Sequence, residues 1–372
     1  MRQTVNKGSG QISDGPPARL PPVFRPGAAP PGPAQTGRMD PVTALERIAF
    51  LLERELPSPH RAAAFRSAVG AAAALPPEPI SAADAERLPG VDPVAARVIA
   101  DATAGRTPRY LLETEARAAA GPAPSPAALR LREKLQGDCH LHSDWSDGTV
   151  PIDLMARTAR ALGHHWAVLT DHSPHLTVAH GLSAERLREQ VDLIEDLNGR
   201  LAPFRLLTGI ECDILADGSL DQDEELLGRL DVVVASVHSE PRMERDAMTH
   251  RMLAAVRNPL VDVLGHCTGR RLGEQPRPPS EFDAEAVFTA CREHDTAVEI
   301  NCRPDRQDPP DDLLALAADL GCLFAIDTDA HAPGQLDHQI GGCERAVVLG
   351  LDAERVITAW SVDHLLAWAG AR

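Results

Sequence analysis

The chain has 372 residues, 43% of them apolar and 24% charged, with a formal net charge of −17. That length accommodates roughly two or three domains. The lack of any apolar run of ~18 residues excludes a membrane-spanning helix, and the acid excess excludes a protein that coats nucleic acid through bulk charge. Seven cysteines without a Cys-x-x-Cys pair exclude a disulfide framework and point to reduced thiols in a cytoplasm. The N-terminus lacks an apolar h-region, so no secretory signal is expected. Histidine is the anomaly: of 15, only His60 and His364 fall outside residues 140–338.

Residues 1–38 hold eight Pro and six Gly with no apolar period, the composition of a disordered tail. Residues 39–117 predict helices. Leu45, Ile48, Ala49, Leu51 and Leu52 recur at helical spacing behind Pro41, and a second helical run spans 59–75. Leu88-Pro89-Gly90-Val91-Asp92 then separates two helical stretches in the outline of a helix-hairpin-helix. Such a turn can offer backbone N–H groups to a phosphate. Asp92 stands where the turn ordinarily has a second glycine, and its carboxylate would repel that phosphate. A DNA-contacting hairpin and a small helical bundle without DNA contact stay equally open. With nine Arg against eleven Asp and Glu in 39–117, any DNA contact is expected to be weak and salt-dependent. The Pro-rich stretch Gly121–Pro126 marks 118–134 as a linker that ends in a short helix.

From residue 135 short β-rich runs alternate with amphipathic helical stretches. The runs are 135–142, 166–172, 205–214, 231–238, 261–266, 296–301 and 323–331. This alternation predicts parallel strands with helical crossovers. About seven units suggest a closed α/β barrel one unit short of eight, with its active site at the C-terminal strand ends.

Those ends carry the chemistry. Alternation puts His140 and His142 on one strand face, and Asp329 with His331 on another. Asp147 follows the first strand, and His172, Glu211, His238 and His266 lie at the ends of the second to fifth. The sixth ends in Asn301, with Arg303 and Arg306 close behind. A histidine at a single strand end is ordinarily a satisfied polar group. Nine converging imidazoles and carboxylates would bury charge at high cost without cations. Such ligands suit Zn²⁺, Mn²⁺ or Fe²⁺, and nine exceed the three or four that one ion needs, so a cluster is predicted.

The ordered series H-x-H with a following S-D-G, then T-D-H-S, G-x-E, S-V-H, G-H and D-T-D-A-H, resembles that of the polymerase and histidinol phosphatase (PHP) superfamily. The resemblance covers about residues 136–370 and is nearest to the C-terminal PHP domain of bacterial family X DNA polymerases. It implies a distorted (β/α)7 barrel over 135–372, preceded by a small all-α domain, with three divalent metals per chain. By this resemblance His140, His142, Glu211 and Asp329 would hold the first metal. Glu211 would bridge to a second, completed by His238 and His266, and Asp147, His172 and His331 would hold the third. One departure is Cys267, where the family often has proline. Packing as a small apolar residue and tuning of the metals are both open to it. Residues 59–66 and the 88–91 turn also resemble the amino-terminal helical domain of those polymerases. The 17 residues 118–134 leave no room for their nucleotidyl-transfer palm, which excludes polymerase activity.

The expected function is a metal-dependent phosphoesterase, in which a hydroxide held by the cluster attacks the phosphate, with Glu211, Asp329 and His331 as the catalytic set. Asn301 and Arg306 would clamp the phosphate, by resemblance to an N-x-x-P-x-R stretch. A loop ion pair of Arg306 with Asp305 or Asp308 is the alternative. His175 and His180 either line the mouth or are solvated loop residues. The substrate is either a small phosphomonoester, favoured by the charge, or a DNA end or abasic site, favoured by the hairpin outline. A non-catalytic module stabilised by metal is a further alternative. Because the metal candidates all lie beyond residue 139, removal of residues 1–117 is expected to leave phosphomonoester turnover nearly intact.

Overall fold

The structure, a computed structural model, describes residues 39–371 apart from 57, 58 and 274, so the tail predicted over 1–38 lies outside the described residues. Helices α1 (Pro41–Glu55), α2 (Pro59–Ala73), α3 (Ala82–Ala85), α4 (Pro93–Thr103) and α5 (Arg109–Ala119) form an N-terminal bundle. Asp40 caps α1 by accepting from the Thr43 N–H at 3.0 Å, with Pro41 next in the chain. The apolar stripe Leu45, Ile48 and Leu52 of α1 meets Phe65, Ile99 and Leu111 of its neighbours in one buried cluster.

A turn with Gly90 at φ 73° lies between α3 and α4. Asp92 caps α4, accepting from the N–H groups of Val94 at 2.9 Å and Ala95 at 2.7 Å. It also pairs with Arg61 at 3.3 Å. The first-turn donors a phosphate would need are thus already engaged by a carboxylate.

The linker is shorter than expected. Helix α5 continues to Ala119, and α6 (Pro126–Arg132) buries Ala128 and Leu131 in the barrel's apolar cluster. Only residues 120–125 separate the two helices.

Six parallel strands pair in chain order: β1 (Trp166–Leu169), β2 (Arg205–Asp213), β3 (Val232–Ser236), β4 (Val263–Leu264), β5 (Ala297–Asn301) and β6 (Phe324–Asp327). Helix α7 (Ile152–Ala161) precedes β1. The crossovers carry α8 (Ala184–Leu201), α9 (Glu224–Leu227), α10 (Arg245–Val256), α11 (Ala284–Glu293) and α12 (Asp311–Asp319), and α13 (Gln339–Val348) and α14 (Val362–Ala369) follow β6. β1 and β3 are buried along their whole length, as in a sheet covered by helices outside and filled by side chains inside. Among the described residues no helix is long and apolar enough to cross a membrane.

The first predicted strand, 135–142, is not a regular strand. It is an extended stave in which Leu141 bridges Leu169 on one side and Ala330 on the other, both in parallel. This links the two edges of the curled sheet. Backbone bonds from Val168 N–H to the Asp138 carbonyl at 2.9 Å and from His142 N–H to the Ala330 carbonyl at 2.8 Å are supplemented by side chains: the Cys139 N–H donates to Asp327 Oδ1 at 2.8 Å and the Leu141 N–H to Thr170 Oγ1 at 3.0 Å. The strands also stop earlier than predicted, so His172, His238, His266, Asp329 and His331 sit on the loops just past them. Asp329 is brought beside His331 by a left-handed backbone at φ 50°, not by strand alternation.

The helical bundle is joined to the barrel at α1. Glu53, buried there, accepts from the Gly334 N–H at 2.9 Å, and His338 Nε2 donates to the Arg54 carbonyl at 2.9 Å. This contact weighs against the expectation that removal of residues 1–117 leaves phosphomonoester turnover nearly intact.

Candidate metal centre

Glu211, near the end of β2, lies at the middle of the site. Its Oε1 is 2.8 Å from His266 Nε2 and 3.2 Å from His238 Nε2. Its Oε2 is 2.9 Å from His172 Nδ1, 3.3 Å from His140 Nε2 and 3.7 Å from His142 Nε2. Asp329 Oδ1 lies 3.4 Å from His142 Nε2 and 3.9 Å from His140 Nε2. At the outer edge Asp147 Oδ1 stands 3.5 Å from His172 Nε2 and 3.4 Å from His331 Nε2. The loop presenting Asp147 folds tightly at Gly148, where a Cβ would lie 2.6 Å from the Ser143 carbonyl.

All nine predicted ligands therefore meet at one end of the barrel. In three overlapping groups, one donor atom per residue lies within 4.8 Å of the others. They are His142, Asp147, His172 and His331; His140, His142 and Glu211; and His172, Glu211 and His238. His142, His172 and Glu211 each serve two groups and His266 and Asp329 fall in none, so the donors divide less cleanly than the three sets the resemblance implied.

The donors are chemically suited to divalent cations. Both Oε atoms of Glu211, Nε2 of His140, Nδ1 of His172 and both ring nitrogens of His142, His238 and His266 are buried without a hydrogen-bond partner among the described residues. Each such atom costs about 1–3 kcal/mol when left unsatisfied, and coordination to a cation would satisfy it. The electrostatics show the same strain. Burial pushes Glu211 up, but His238, His140 and His172 together hold its carboxyl well below the usual range. Burial, reinforced by His331 and His172, pushes His142 down to about 3. Burial would lower His238 too, yet Glu211 and Asp213 raise it to about 9.

The other predicted residues divide. Asn301 Nδ2 donates to Asp329 Oδ2 at 3.1 Å, and Arg306 Nε lies 3.1 Å from the same oxygen. Arg306 Nη1 is buried without a hydrogen-bond partner. The alternative pairing of Arg306 with Asp305 or Asp308 is not among the observed ion pairs of the described residues; Asp305 pairs with Arg303 at 3.0 Å. His180 is exposed at φ 56°, its carbonyl held by Arg186 at 2.7 Å, and is in none of the donor groups. His175 Nε2 is 3.7 Å from Asp213 Oδ2. Cys267 is buried in the apolar cluster, where burial holds its thiol well above the usual range, and its Sγ lies 3.9 Å from Asp308 Oδ1.

Sequence reasoning missed Glu299. Its Oε1 is 2.6 Å from His140 Nδ1, and its Oε2 accepts from the His266 N–H at 2.5 Å. The signal was available: a lone carboxylate in the apolar run Ala297–Asn301 must have a buried partner. Arg303, whose Nη1 lies 3.2 Å from His331 Nδ1, was noted but given no role.

Residues 138–303 match the PHP domain family. A probable phosphatase of Vibrio campbellii is 31% identical over 181 residues, which are 45% of this chain and 67% of that protein. The chain belongs to the PHP family. It is also 37% identical over 235 residues to the DNA polymerase/3′-5′ exonuclease PolX of Bacillus subtilis. That match takes in 63% of this chain but only 41% of the relative. A solved histidinol phosphate phosphatase from Lactococcus lactis, complexed with zinc, L-histidinol and phosphate, aligns over 58% of this chain and 94% of its own. Its TM-score is 0.45 at 20% identity. The matched PHP segment contains seven of the nine donors and ends before Asp329 and His331, which the β6 loop adds.

Proposed function

We propose that this PHP protein is a metal-dependent phosphoesterase with three divalent ions per chain. The observation that carries the reading is the Glu211 carboxylate, buried and facing five imidazoles with neither oxygen hydrogen-bonded. His140, His142, Asp147, His172, Glu211, His238, His266, Asp329 and His331 would hold the ions. Zn²⁺, Mn²⁺ or Fe²⁺, when bound, supplies the positive charge that activates water and neutralises phosphate oxygens.

The chain's own residues prepare the site for that chemistry. Glu299 Oε1 accepts a hydrogen bond from the His140 Nδ1–H and so leaves the Nε2 lone pair facing Glu211. The Asp329 carbonyl, 2.9 Å from His331 Nδ1, does the same for that ring and leaves Nε2 facing Asp147. Asn301 and Arg306 hold Asp329, and the uncommitted Arg306 Nη1 is available to a phosphate oxygen. Arg303 adds a second guanidinium beside His331. Glu211, which belongs to two of the donor groups, His331 of the outer group and Asp329, which Asn301 and Arg306 hold, would form the catalytic set. The match to a probable phosphatase supports a phosphomonoester substrate.

A second reading, processing of DNA 3′ ends, is favoured by the 37% identity to a 3′-5′ exonuclease. One experiment tests both readings: protein loaded with Mn²⁺ or Zn²⁺ is assayed on phosphomonoesters and on a 3′-labelled oligonucleotide. Turnover of the monoesters is expected. Preferential release of nucleotides would favour the second reading. No turnover of either, with less than one ion per chain by elemental analysis, would overturn the proposal, and full metal content without turnover would mark a non-catalytic module.

A further inference from the structure

Between His331 and α13 the chain forms a 3₁₀ turn, Pro333–His338, and α1 lies directly on it. The contact is polar, buried and specific. Glu53 receives Arg66 on both oxygens, at 2.8 and 2.9 Å, and its Oε2 also accepts the Gly334 N–H at 2.9 Å. His338 donates to the Arg54 carbonyl, and Arg54 pairs with Asp337 at 3.2 Å. A Cβ at Gly334 would collide with the Phe50 carbonyl, so the turn fits only because that residue is glycine. Phe50 itself packs on the cluster that contains Leu336 and Leu141.

The turn in turn holds the His331 backbone. Gln335 Oε1 accepts the His331 N–H at 2.8 Å. On the opposite side Thr149 donates to the His331 carbonyl from its N–H at 2.8 Å and from Oγ1 at 3.0 Å. A continuous chain of contacts therefore runs from α2 through Arg66, Glu53, Gly334 and Gln335 to a donor of the outermost group.

We propose that Glu53 is a positioning residue for the donor group His142, Asp147, His172 and His331, so that the helical bundle sets the metal affinity of the outer edge of the site. This rests on the metal reading above. Glu53 touches no donor; it holds the turn, and the turn holds the loop. Residues that orient metal ligands without binding metal characteristically change affinity about 10–100-fold when lost.

The test is Co²⁺ titration of full-length protein, followed by visible absorption and by competition with a chromophoric chelator. His331→Ala first identifies which binding step belongs to the outer group. Glu53→Ala is expected to weaken that same step at least tenfold and leave the other steps within twofold. Glu53→Gln keeps an acceptor for the Gly334 N–H and should recover most of the loss. A general loss of structure would weaken all steps together, and Gln should not rescue it. Should Glu53→Ala fail to fold, Gln335→Ala cuts the same chain of contacts inside the turn without touching α1. It too must weaken the His331-dependent step. Wild-type affinity at that step in Glu53→Ala, or in Gln335→Ala where that variant stands in, would overturn the inference. Absence of any Co²⁺ binding by the wild type would instead overturn the metal reading, and this inference with it.

Discussion

Five imidazoles face the two oxygens of Glu211, and this carboxylate has no counterpart elsewhere in the donor set. Glu211→Gln removes one charge and one acceptor at once. It is expected to lower bound metal by more than one equivalent and to cut turnover by orders of magnitude, while the apolar strands keep the fold. Near-wild-type turnover at saturating metal would show that Glu211 does not join the donor groups. Glu299 provides a contrasting case, since it fixes a ligand without being one. Glu299→Gln can present its N–H₂ to His140 Nδ1, which favours the wrong tautomer. Metal affinity should fall about 10–100-fold with the ion count restored at high metal, and equilibrium dialysis would register this. The nine donors were legible because they lie at or just past the ends of β-rich runs and belong to an ordered motif series. Glu299 was not, because it sits inside a run, where alternation treats it as one more strand position. Arg303 was not assigned because its role depends on the left-handed turn at Asp329, which no spacing rule reveals.

At the scale of elements, six strands were legible as apolar runs, whereas the stave 135–142 read as a seventh. Its polar partners, Asp327 and Thr170, take two of the N–H groups that a regular ladder would bind, and the pattern of hydrophobic residues cannot distinguish the two. The docking of α1 on the turn Pro333–His338 was not legible at all, since it joins segments about 280 residues apart through Glu53 and Gly334. That docking has a pH dependence. Burial pushes His338 down to about 4, against 6.5 for an ordinary imidazole, even though the Arg54 carbonyl favours its protonated form. The unfolded chain therefore binds this proton first. The stability that neutral His338 contributes is fully present above pH ~6.5 and is lost as pH falls towards 4, by at most about 3 kcal/mol. Urea unfolding between pH 7 and 4 should show a shallower decline for His338→Gln, which can still donate to the Arg54 carbonyl. Parallel declines for the two proteins would show that His338 does not govern the interface.

For the molecule as a whole, the open matter is whether the helical bundle also meets DNA. Asp92 occupies the N–H groups of Val94 and Ala95, and the bundle has more acids than arginines. Asp92→Gly frees those donors at a cost of only a few tenths of a kcal/mol. If DNA is a substrate, this variant should bind an oligonucleotide more tightly, with the gain largest at low salt. Fluorescence anisotropy at two salt concentrations measures it, and identical binding by both proteins would remove the bundle from the DNA reading. The stave at 135–142 has a consequence of another kind, concerning the order in which the protein is made. His140 and His142 leave the ribosome before the partners that hold their segment, Asp327 and Ala330, which are translated about 190 residues later. At ~5–20 residues per second that interval lasts on the order of 10–40 s. Through this interval the nascent chain offers unassembled imidazoles to whatever metal the surroundings supply, and selection among metals must wait for the last strand.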